Sequence, residues 1–157
     1  MAAGKWKVYD FAKLYIGSAV FDLEDGTNWK AALFTSTSNC NTLSVGTGIY
    51  GDLTNEVANG NGYATGGVDV VSITWTRSGG TITFDADAFG WTASGSGITA
   101  RYCVIYKNTT VSGVVKPLLC VCLLDTAPAD VTVTAGNTLT ITPAATGFFT
   151  LSGATTD

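Results

Sequence analysis

The sequence predicts an all-β fold: a single-domain β-sandwich of Greek-key, jelly-roll or immunoglobulin-like type, with an N-terminal arm. Only 13% of the 157 residues are charged, about half the share of a typical soluble domain. Nineteen glycines and many threonines stand where long runs of Leu, Glu, Lys and Ala would indicate helices. Seven or eight short apolar runs recur at the spacing of sandwich strands. Residues 1–28 are the predicted arm or first element, and residues 29–157 the sandwich domain.

The first element is ambiguous between helix and strand. Its candidates for one helical face are Val8, Phe11, Ala12, Tyr15 and Ala19. The alternation of Trp6 with Val8 also fits a strand, and Gly17 argues against a long helix. The pattern leaves both alternatives open.

Strand patterns are clearer after residue 28. The predicted strands lie within residues 29–36, 67–77, 81–86, 98–107, 116–125, 130–136, 137–143 and 147–153. The "SGG" at 78–80 predicts a hairpin between the second and third of these. Residues 116–125 are apolar on both faces, which indicates a central strand or one buried at an interface. The three prolines sit at strand ends, where a missing N–H does no harm.

The chain contains no histidine, and this removes most catalytic chemistry. Ser-His-Asp and Cys-His nucleophile pairs, histidine general bases and histidine metal ligands are all excluded. No S-x-x-K spacing places a lysine one helical turn from a serine. We therefore expect no enzyme, no catalytic residues and no cofactor.

"GTGIYG" at 46–51 matches the dinucleotide-binding pattern G-x-G-x-x-G literally. That motif works by placing a pyrophosphate at the N-terminus of a helix within a β-α-β unit. The glycine- and asparagine-rich stretch that follows cannot form such a helix. We interpret the match as chance.

"FDADAFGW" at 84–91 places Asp85 and Asp87 two residues apart, like the start of an EF-hand loop. The fifth position of that loop would be Phe89 and the twelfth Ser96, so the calcium-binding carboxylates are missing. As a glycosidase pair the two aspartates would share one strand face, with no sign of a sugar cleft. We interpret them as turn-forming, solvated residues.

The four cysteines predict buried free thiols. Cys120 and Cys122 share a strand face and, with Cys103, have the character of small core residues. Paired C-x-x-C knuckles and histidine partners are absent, so no metal site is expected. Free thiols suit a protein matured in a reducing cytoplasm.

Charge is distributed unevenly along the chain. The net charge of −4 gives no global attraction for nucleic acid. The first 13 residues nevertheless carry +2, and the rest of the chain carries −6. This basic, aromatic segment predicts a contact with an acidic partner, unless it is an ordinary first element with solvated lysines. The predicted contact residues are Lys5, Trp6, Lys7, Tyr9 and Phe11.

No membrane association is expected. The longest aliphatic run, residues 117–124, is far too short to cross a bilayer. Residues 14–21 lack the flanks of a cleaved signal, so we expect a protein that is not secreted in that way.

Four aromatic residues are candidates for a carbohydrate-binding surface. Trp29, Trp75 and Trp91, with Tyr63, have the chemistry of sugar-stacking platforms on a binding module. Anchoring of the core is the commoner role for such residues in a β-sandwich. The sequence cannot place them on one surface, so both interpretations stay open.

"LTNEVANGNGYATGG" at 53–67 is the most unusual stretch. Its Asn-Gly steps offer positive-φ positions for tight reversals, and Gly66 and Gly67 allow a close approach to the next strand. We expect Tyr63 to pin the loop to the sandwich. We expect Asn55 and Glu56 to hold the backbone of this loop or to bind a neighbouring subunit.

Several motifs together resemble a group of small virion structural proteins of tailed bacteriophages. The most specific are L-T-N-E-V followed by G-x-G-Y and G-G within residues 53–67, and I-T-A-R-Y-x-V-I-Y from residue 98. The other motifs are "KAALFTSTSN" (30–39), "FDADAFGW" (84–91) and "TLTITPAATGFFTLSG" (138–153). The resemblance covers most of the chain from about residue 30.

The resemblance implies a non-enzymatic β-sandwich on the virion, most simply a decoration (cement) protein on the outside of the capsid. Its partners would be the major capsid protein and further copies of itself, as a dimer or trimer. It would be made in the cytoplasm of the bacterial host. The alternative is a tail or head-fibre component with a carbohydrate-binding β-sandwich.

Overall fold

Strands dominate the chain, as its composition predicts. A computed structural model describes residues 4–153; the outermost residues of the predicted arm (1–3) and of the predicted domain (154–157) lie outside the described residues. Within the described part there is one α-helix, α1 (Asp10–Gly17), and a 3-10 turn at Tyr50–Asp52. The all-β prediction is confirmed, in the form of several antiparallel sheets.

Fourteen strands occur among the described residues, more than the seven or eight predicted, because several are only two or three residues long. In chain order they are β1 (Lys7–Val8), β2 (Trp29–Phe34), β3 (Val68–Asp69), β4 (Thr74–Ser78), β5 (Thr81–Asp85), β6 (Phe89–Thr92), β7 (Ile98–Ala100), β8 (Tyr102–Lys107), β9 (Thr110–Val111), β10 (Val114–Val115), β11 (Leu118–Leu123), β12 (Val131–Val133), β13 (Thr138–Ile141) and β14 (Phe149–Ser152). Every predicted strand segment contains at least one of them. The predicted strand 67–77 is divided at Ser72, whose φ is +57°.

The largest sheet has five antiparallel strands in the order β1-β11-β8-β2-β3. The strand β8 lies at its centre, and β11 has a neighbour on each side, which confirms that residues 116–125 contain an interior strand. All residues of β11 except Leu123 are buried. This sheet provides the frame on which the N-terminal segment is placed, because β1 pairs with β11 at its edge.

The remaining strands form smaller antiparallel sheets. One has the order β14-β5-β4, and the pairs are β13-β6, β12-β7 and β10-β9. The hairpin predicted around residues 78–80 is confirmed, since β4 and β5 pair from Ser78↔Thr81 to Thr74↔Asp85. In the three-stranded sheet, β14 and β4 are the two outer strands.

Aromatic side chains connect the sheets through one core. The ring of Trp29 on β2 lies 5.5 Å from that of Phe84 on β5, and Phe84 stacks on Phe149 of β14 at 5.3 Å. Phe148 continues the contact to Trp6, whose ring it meets edge-on at 4.9 Å. The N-terminal segment is therefore joined to the same core as the strands near the C-terminus.

Both alternatives for the first element occur, one after the other. Residues 7–8 form β1, and α1 begins at Asp10 and ends at Gly17, the residue expected to limit it. Tyr9, between them, has extended backbone angles and a fully buried side chain, as does Ala12 on the helix. Over its described residues, the predicted arm is thus packed on the body as a short strand followed by a short helix.

Candidate interaction surface

The five predicted contact residues fall into three groups by exposure. Lys5 and Lys7 are exposed, whereas Trp6 and Phe11 are half-buried. Tyr9 has no exposed surface. Its hydroxyl donates a hydrogen bond to the carbonyl oxygen of Cys40 at 2.5 Å, and burial raises its pKa well above the ordinary value. Tyr9 therefore anchors the segment from inside, and any contact by its side chain would require the segment to leave the body.

Phe11 faces a different neighbour from Trp6. Its ring lies 6.1 Å from that of Tyr15, and its side chain covers Gly48, where an added Cβ would lie 2.5 Å from the Cβ of Phe11. The Tyr15 hydroxyl donates to the carbonyl oxygen of Thr47 at 3.2 Å. Phe11 thus holds α1 against the turn at 46–51.

Trp6 borders three concave regions of the surface. One, which we call the N-terminal groove, has a volume of about 470 Å³ and is lined by residues 6–8, residues 149–151, Lys13, Ile16 and Leu43. A second, of about 260 Å³, lies between Trp6 and strands β11, β12 and β13. A third, of about 630 Å³, lies between residues 4–6 and the segment that leads into β14. The half-buried indole of Trp6 therefore separates three depressions of the surface.

Three lysines border the depressions around Trp6, and two of them are uncompensated. Lys13 forms an ion pair with Asp10 at 2.9 Å, with both side chains more than half exposed. Within residues 4–153, neither Lys5 nor Lys7 has a carboxylate within 4.0 Å. These two lysines present free positive charge beside Trp6, on a chain that is acidic elsewhere.

The stretch 53–67 lies beside β2 and is held there by Glu56. The Glu56 carboxylate accepts hydrogen bonds from the hydroxyl of Tyr63 and the N–H of Gly66, both at 2.6 Å, and from the hydroxyl of Tyr50. The Tyr63 hydroxyl in turn accepts the N–H of Leu33 at 3.0 Å. The prediction that Tyr63 pins this loop is confirmed, and Glu56 ties the loop's own backbone.

The stretch 53–67 pairs with the part of β2 that β3 does not cover. Phe34 forms a bridge with Glu56, and the N–H of Val57 donates to the carbonyl oxygen of Leu33 at 2.9 Å. The close approach predicted at Gly67 is confirmed, because an added Cβ there would lie 1.7 Å from the carbonyl oxygen of Ala31. The stretch is thus a cover for the open part of β2.

The segment 46–51 does not have the geometry of a dinucleotide site. Gly46 and Gly48 adopt positive φ, and the carboxylate of Asp52 accepts the N–H groups of Thr47 and Ile49. A single 3-10 turn follows in place of the α-helix that a pyrophosphate site needs. The amides that would face a phosphate are bound to Asp52.

The prediction of turn-forming, solvated aspartates is wrong for Asp85, which is the half-buried last residue of β5 and pairs with Thr74. Asp87 lies between β5 and β6. Asp85 accepts the N–H of Ala86 at 2.9 Å, and Asp87 accepts the hydroxyl of Ser72 at 2.6 Å. Asp87 is exposed. Asp87 thus links the segment between β5 and β6 to the segment between β3 and β4, 15 positions earlier in the chain.

The candidate stacking residues belong mainly to the core. Trp29, Trp91 and Tyr63 are at most 3% exposed, which confirms core anchoring for these three. Trp75 is half-buried and borders a separate groove of about 430 Å³ that also contains Asp22 and Glu24. Of the four candidate residues, Trp75 is the one whose side chain is partly accessible.

The prediction of buried free thiols is confirmed for all four cysteines. Cys103 and Cys122 are direct partners in the β8–β11 ladder. Burial raises the pKa of Cys40 and of Cys122 to about 11, and it raises the pKa of Cys103 and of Cys120 well above the ordinary value of a thiol. In the described part of the chain, no three His, Cys, Asp or Glu side chains are grouped to hold a metal ion.

Lys107 carries a buried charge that the sequence did not predict. Lys107 is 3% exposed, and its Nζ lies 2.7 Å from Oδ2 of Asp25 and 4.7 Å from the centre of the Trp29 ring. The pair joins β8 to the segment before β2. No local pattern marks it, because the two residues are 82 positions apart.

Comparison with protein-family models, with curated proteins and with solved structures finds no match to this chain. Among residues 4–153, no helix has the length and apolar character that spanning a membrane requires.

Proposed function

We propose that this chain is a virion structural protein of a tailed bacteriophage, and that it acts as a decoration protein on the outside of the assembled head. The motifs within residues 53–67 and 98–106 support this through their resemblance to such proteins. The observation that carries the proposal is the surface around Trp6, where a half-buried aromatic residue lies between three depressions beside the uncompensated Lys5 and Lys7. Aromatic residues in such positions are typical anchors of protein interfaces.

The proposal includes the arrangement of the sheets. We infer a single β-sandwich in which the five-stranded sheet packs on the smaller sheets. The contact of Trp29 with Phe84 and the continuous core that both belong to support this arrangement. Two packed sheets would give a rigid body that carries the N-terminal surface.

The stabilising effect would follow from mass action. A protein that binds only the assembled head stabilises it by RT ln(1 + [L]/Kd), about 2.7 kcal/mol at a free concentration of 100 times Kd. The major capsid protein would be the partner, and a dimer or trimer of this chain would span the junction between neighbouring capsomers. The basic segment on an acidic chain fits an acidic capsid surface.

The test uses heads of the same virus that lack this protein. The purified chain is added, and occupancy is measured by co-sedimentation and electron microscopy. We expect binding on the head surface, and at least a tenfold loss of affinity for Trp6→Ala, since anchor residues contribute roughly 1.4 kcal/mol or more. Trp75→Ala is the matched control, because it removes the other half-buried tryptophan. Unchanged binding of Trp6→Ala, or density on the tail alone, would contradict the proposal.

Substitution is a sharper test than deletion of the segment. Removing residues 2–10 would take away β1 and the buried Tyr9 together with the surface. Loss of binding would then be indistinguishable from loss of folding. Trp6→Ala and Lys7→Glu alter the surface and leave Tyr9 in place.

A glycan-binding role in a tail or fibre is the second candidate, and the groove at Trp75 favours it. An accessible aromatic ring beside the carboxylates of Asp22 and Glu24 has the chemistry of a sugar site. Glycan-array binding that Trp75→Ala abolishes and Trp6→Ala preserves would select this function. Absence of binding to any glycan would remove it.

A further inference from the structure

The N-terminal groove lies between two open sheet edges. The strand β1 is the outermost strand of the five-stranded sheet, and β14 is an outer strand of the sheet β14-β5-β4. In the described part of the chain, β1 pairs only with β11, and β14 pairs only with β5. Each therefore has a side on which no strand is bound.

The lining of the groove shows that these open sides face it. Residues 6–8 and residues 149–151 contribute three consecutive positions each. The face of a sheet would contribute only alternate residues, since successive side chains point to opposite faces. Consecutive residues line a groove when it runs along the edge of a strand.

The backbone of Val8 is directed away from β11. The N–H of Tyr9 donates to the carbonyl oxygen of Leu119 at 3.0 Å, and Lys7 is paired with Val121. In an antiparallel ladder the residues that bond to the partner strand alternate with residues that point outward. The N–H and carbonyl groups of Val8 therefore belong to the open edge.

The side chains around this edge define the chemistry of an occupant. Val8, Ile16, Leu43 and Leu151 are apolar, and Leu151 is 41% exposed. Lys7 stands beside them with no carboxylate within 4.0 Å among residues 4–153. An extended segment with apolar side chains at alternate positions and acidic side chains between them matches both features.

We propose that the N-terminal groove binds such an extended, acidic segment of the major capsid protein as an added strand. Hydrogen bonds to the edge of β1 would orient the added strand, and its apolar side chains would contribute affinity and select the sequence. This inference rests on the proposed function, and it specifies how the decoration protein holds the shell.

The experiment compares hydrogen–deuterium exchange of the whole chain, free and bound to heads that lack it. We expect slower exchange on binding for the amides of residues 6–8 and 149–152. The hairpin of β9 and β10 serves as the internal reference, and its exchange should not change.

Two variants complete the test. Leu151→Asp places a like-charged group in the path of the acidic segment, and we expect at least a tenfold weaker binding to heads, equivalent to about 1.4 kcal/mol. Val115→Asp is the matched control, because Val115 is an exposed aliphatic residue on β10 (54%) away from the groove. Its affinity should stay within about twofold.

The outcomes separate this inference from the proposed function. Binding to heads with unchanged exchange at both segments, and with normal affinity of Leu151→Asp, would overturn strand addition and leave the decoration role intact. Conversion of an oligomer to a monomer by Leu151→Asp, with head binding unchanged, would assign the groove to a second copy and overturn the capsid segment. Absence of any head binding would overturn both proposals.

Discussion

The hydroxyl of Tyr63 lies 2.6 Å from Oε1 of Glu56 while it accepts the N–H of Leu33 at 3.0 Å. One side chain of the loop thus satisfies the edge of β2 and is itself fixed by a carboxylate of the same loop. The Asn-Gly-rich stretch 53–67 acts through this relay as a substitute for a strand. Its composition reflects the backbone geometry that this role requires.

Removal of the Glu56 carboxylate should destabilise the protein. Glu56→Ala leaves the hydroxyls of Tyr50 and Tyr63 and the N–H of Gly66 without their acceptor. We expect the free energy of unfolding to fall by about 2–4 kcal/mol, because hydrogen bonds to charged groups contribute about 1.5–3 kcal/mol each and these are only partly buried. Urea unfolding measures this loss. The exposed Glu24→Ala should change stability by less than about 0.5 kcal/mol, and equal effects of the two variants would refute the relay.

Gly67 is required for a close contact as well as for its backbone angle. Its φ is +75°, and an added Cβ would lie 1.7 Å from the carbonyl oxygen of Ala31. Gly113 has a similar φ of +85° but no atom within 4 Å of an added Cβ. We expect Gly113→Ala to cost about 1–2 kcal/mol for the conformation alone. Gly67→Ala should cost about 3 kcal/mol or more, because overpacking adds roughly 1–3 kcal/mol. Thermal or urea unfolding of both variants decides this, and a smaller loss for Gly67→Ala would contradict the contact.

Stability at acid pH should depend on Asp25. The hydrogen bond from Lys107, with those from the hydroxyl and N–H of Thr27, lowers the pKa of Asp25 to about 2 from the ordinary 3.8. A carboxyl whose pKa is lower in the folded state stabilises it above the unfolded pKa, and this contribution is lost as the pH falls from about 4 to 2. The difference in unfolding free energy between wild type and Asp25→Asn should therefore be largest above pH 5 and shrink toward pH 2.

The partner of Asp25 supplies the control. In a Lys107→Met background, the additional change Asp25→Asn should show a weaker form of this pH course, because only the hydrogen bonds from Thr27 then lower the pKa of Asp25. Urea titrations at pH 2 to 7 on the four chains give the comparison. A pH-independent difference between wild type and Asp25→Asn would show that the ion pair contributes nothing in this range.

The thiols should be unreactive until the protein unfolds. Burial raises the pKa of all four cysteines, and the thiolate is the reactive form. We expect negligible labelling by iodoacetamide at pH 8 in the native state and four labels per chain in denaturant, measured by mass spectrometry. Rapid native labelling of Cys122, which lies near the chain's N-terminal segment at Gly4, would indicate local opening of that segment.

The β character and the positions of most strands were predictable because alternation is a local property. The run 29–36 contains β2, and 98–107 contains β7 and β8 with a break at Arg101. The turn chemistry of residues 59–67 was equally local, since Gly60, Gly62 and Gly66 adopt the positive φ that their type allows. Period and residue type encode such features directly.

Relationships between distant segments were not predictable. The partner of Lys107 lies 82 positions away, and β14 meets the N-terminal segment from the other end of the chain. Hydrophobic alternation gave no means to distinguish the buried Trp91 from the half-buried Trp75. For the same reason, Tyr9 was predicted, like Trp6, to lie at the surface, although its side chain is buried in the core.

The brevity of β1 governs what its open side can recruit. Long, flat and apolar edges act as templates on which chains stack without limit, and short, charged edges resist this. With two residues and one lysine, β1 offers too few backbone groups to hold an arbitrary strand. An incoming chain must supply matching side chains to remain bound. Because its backbone groups alone bind a strand weakly, the edge of β1 selects segments whose side chains also fit the groove.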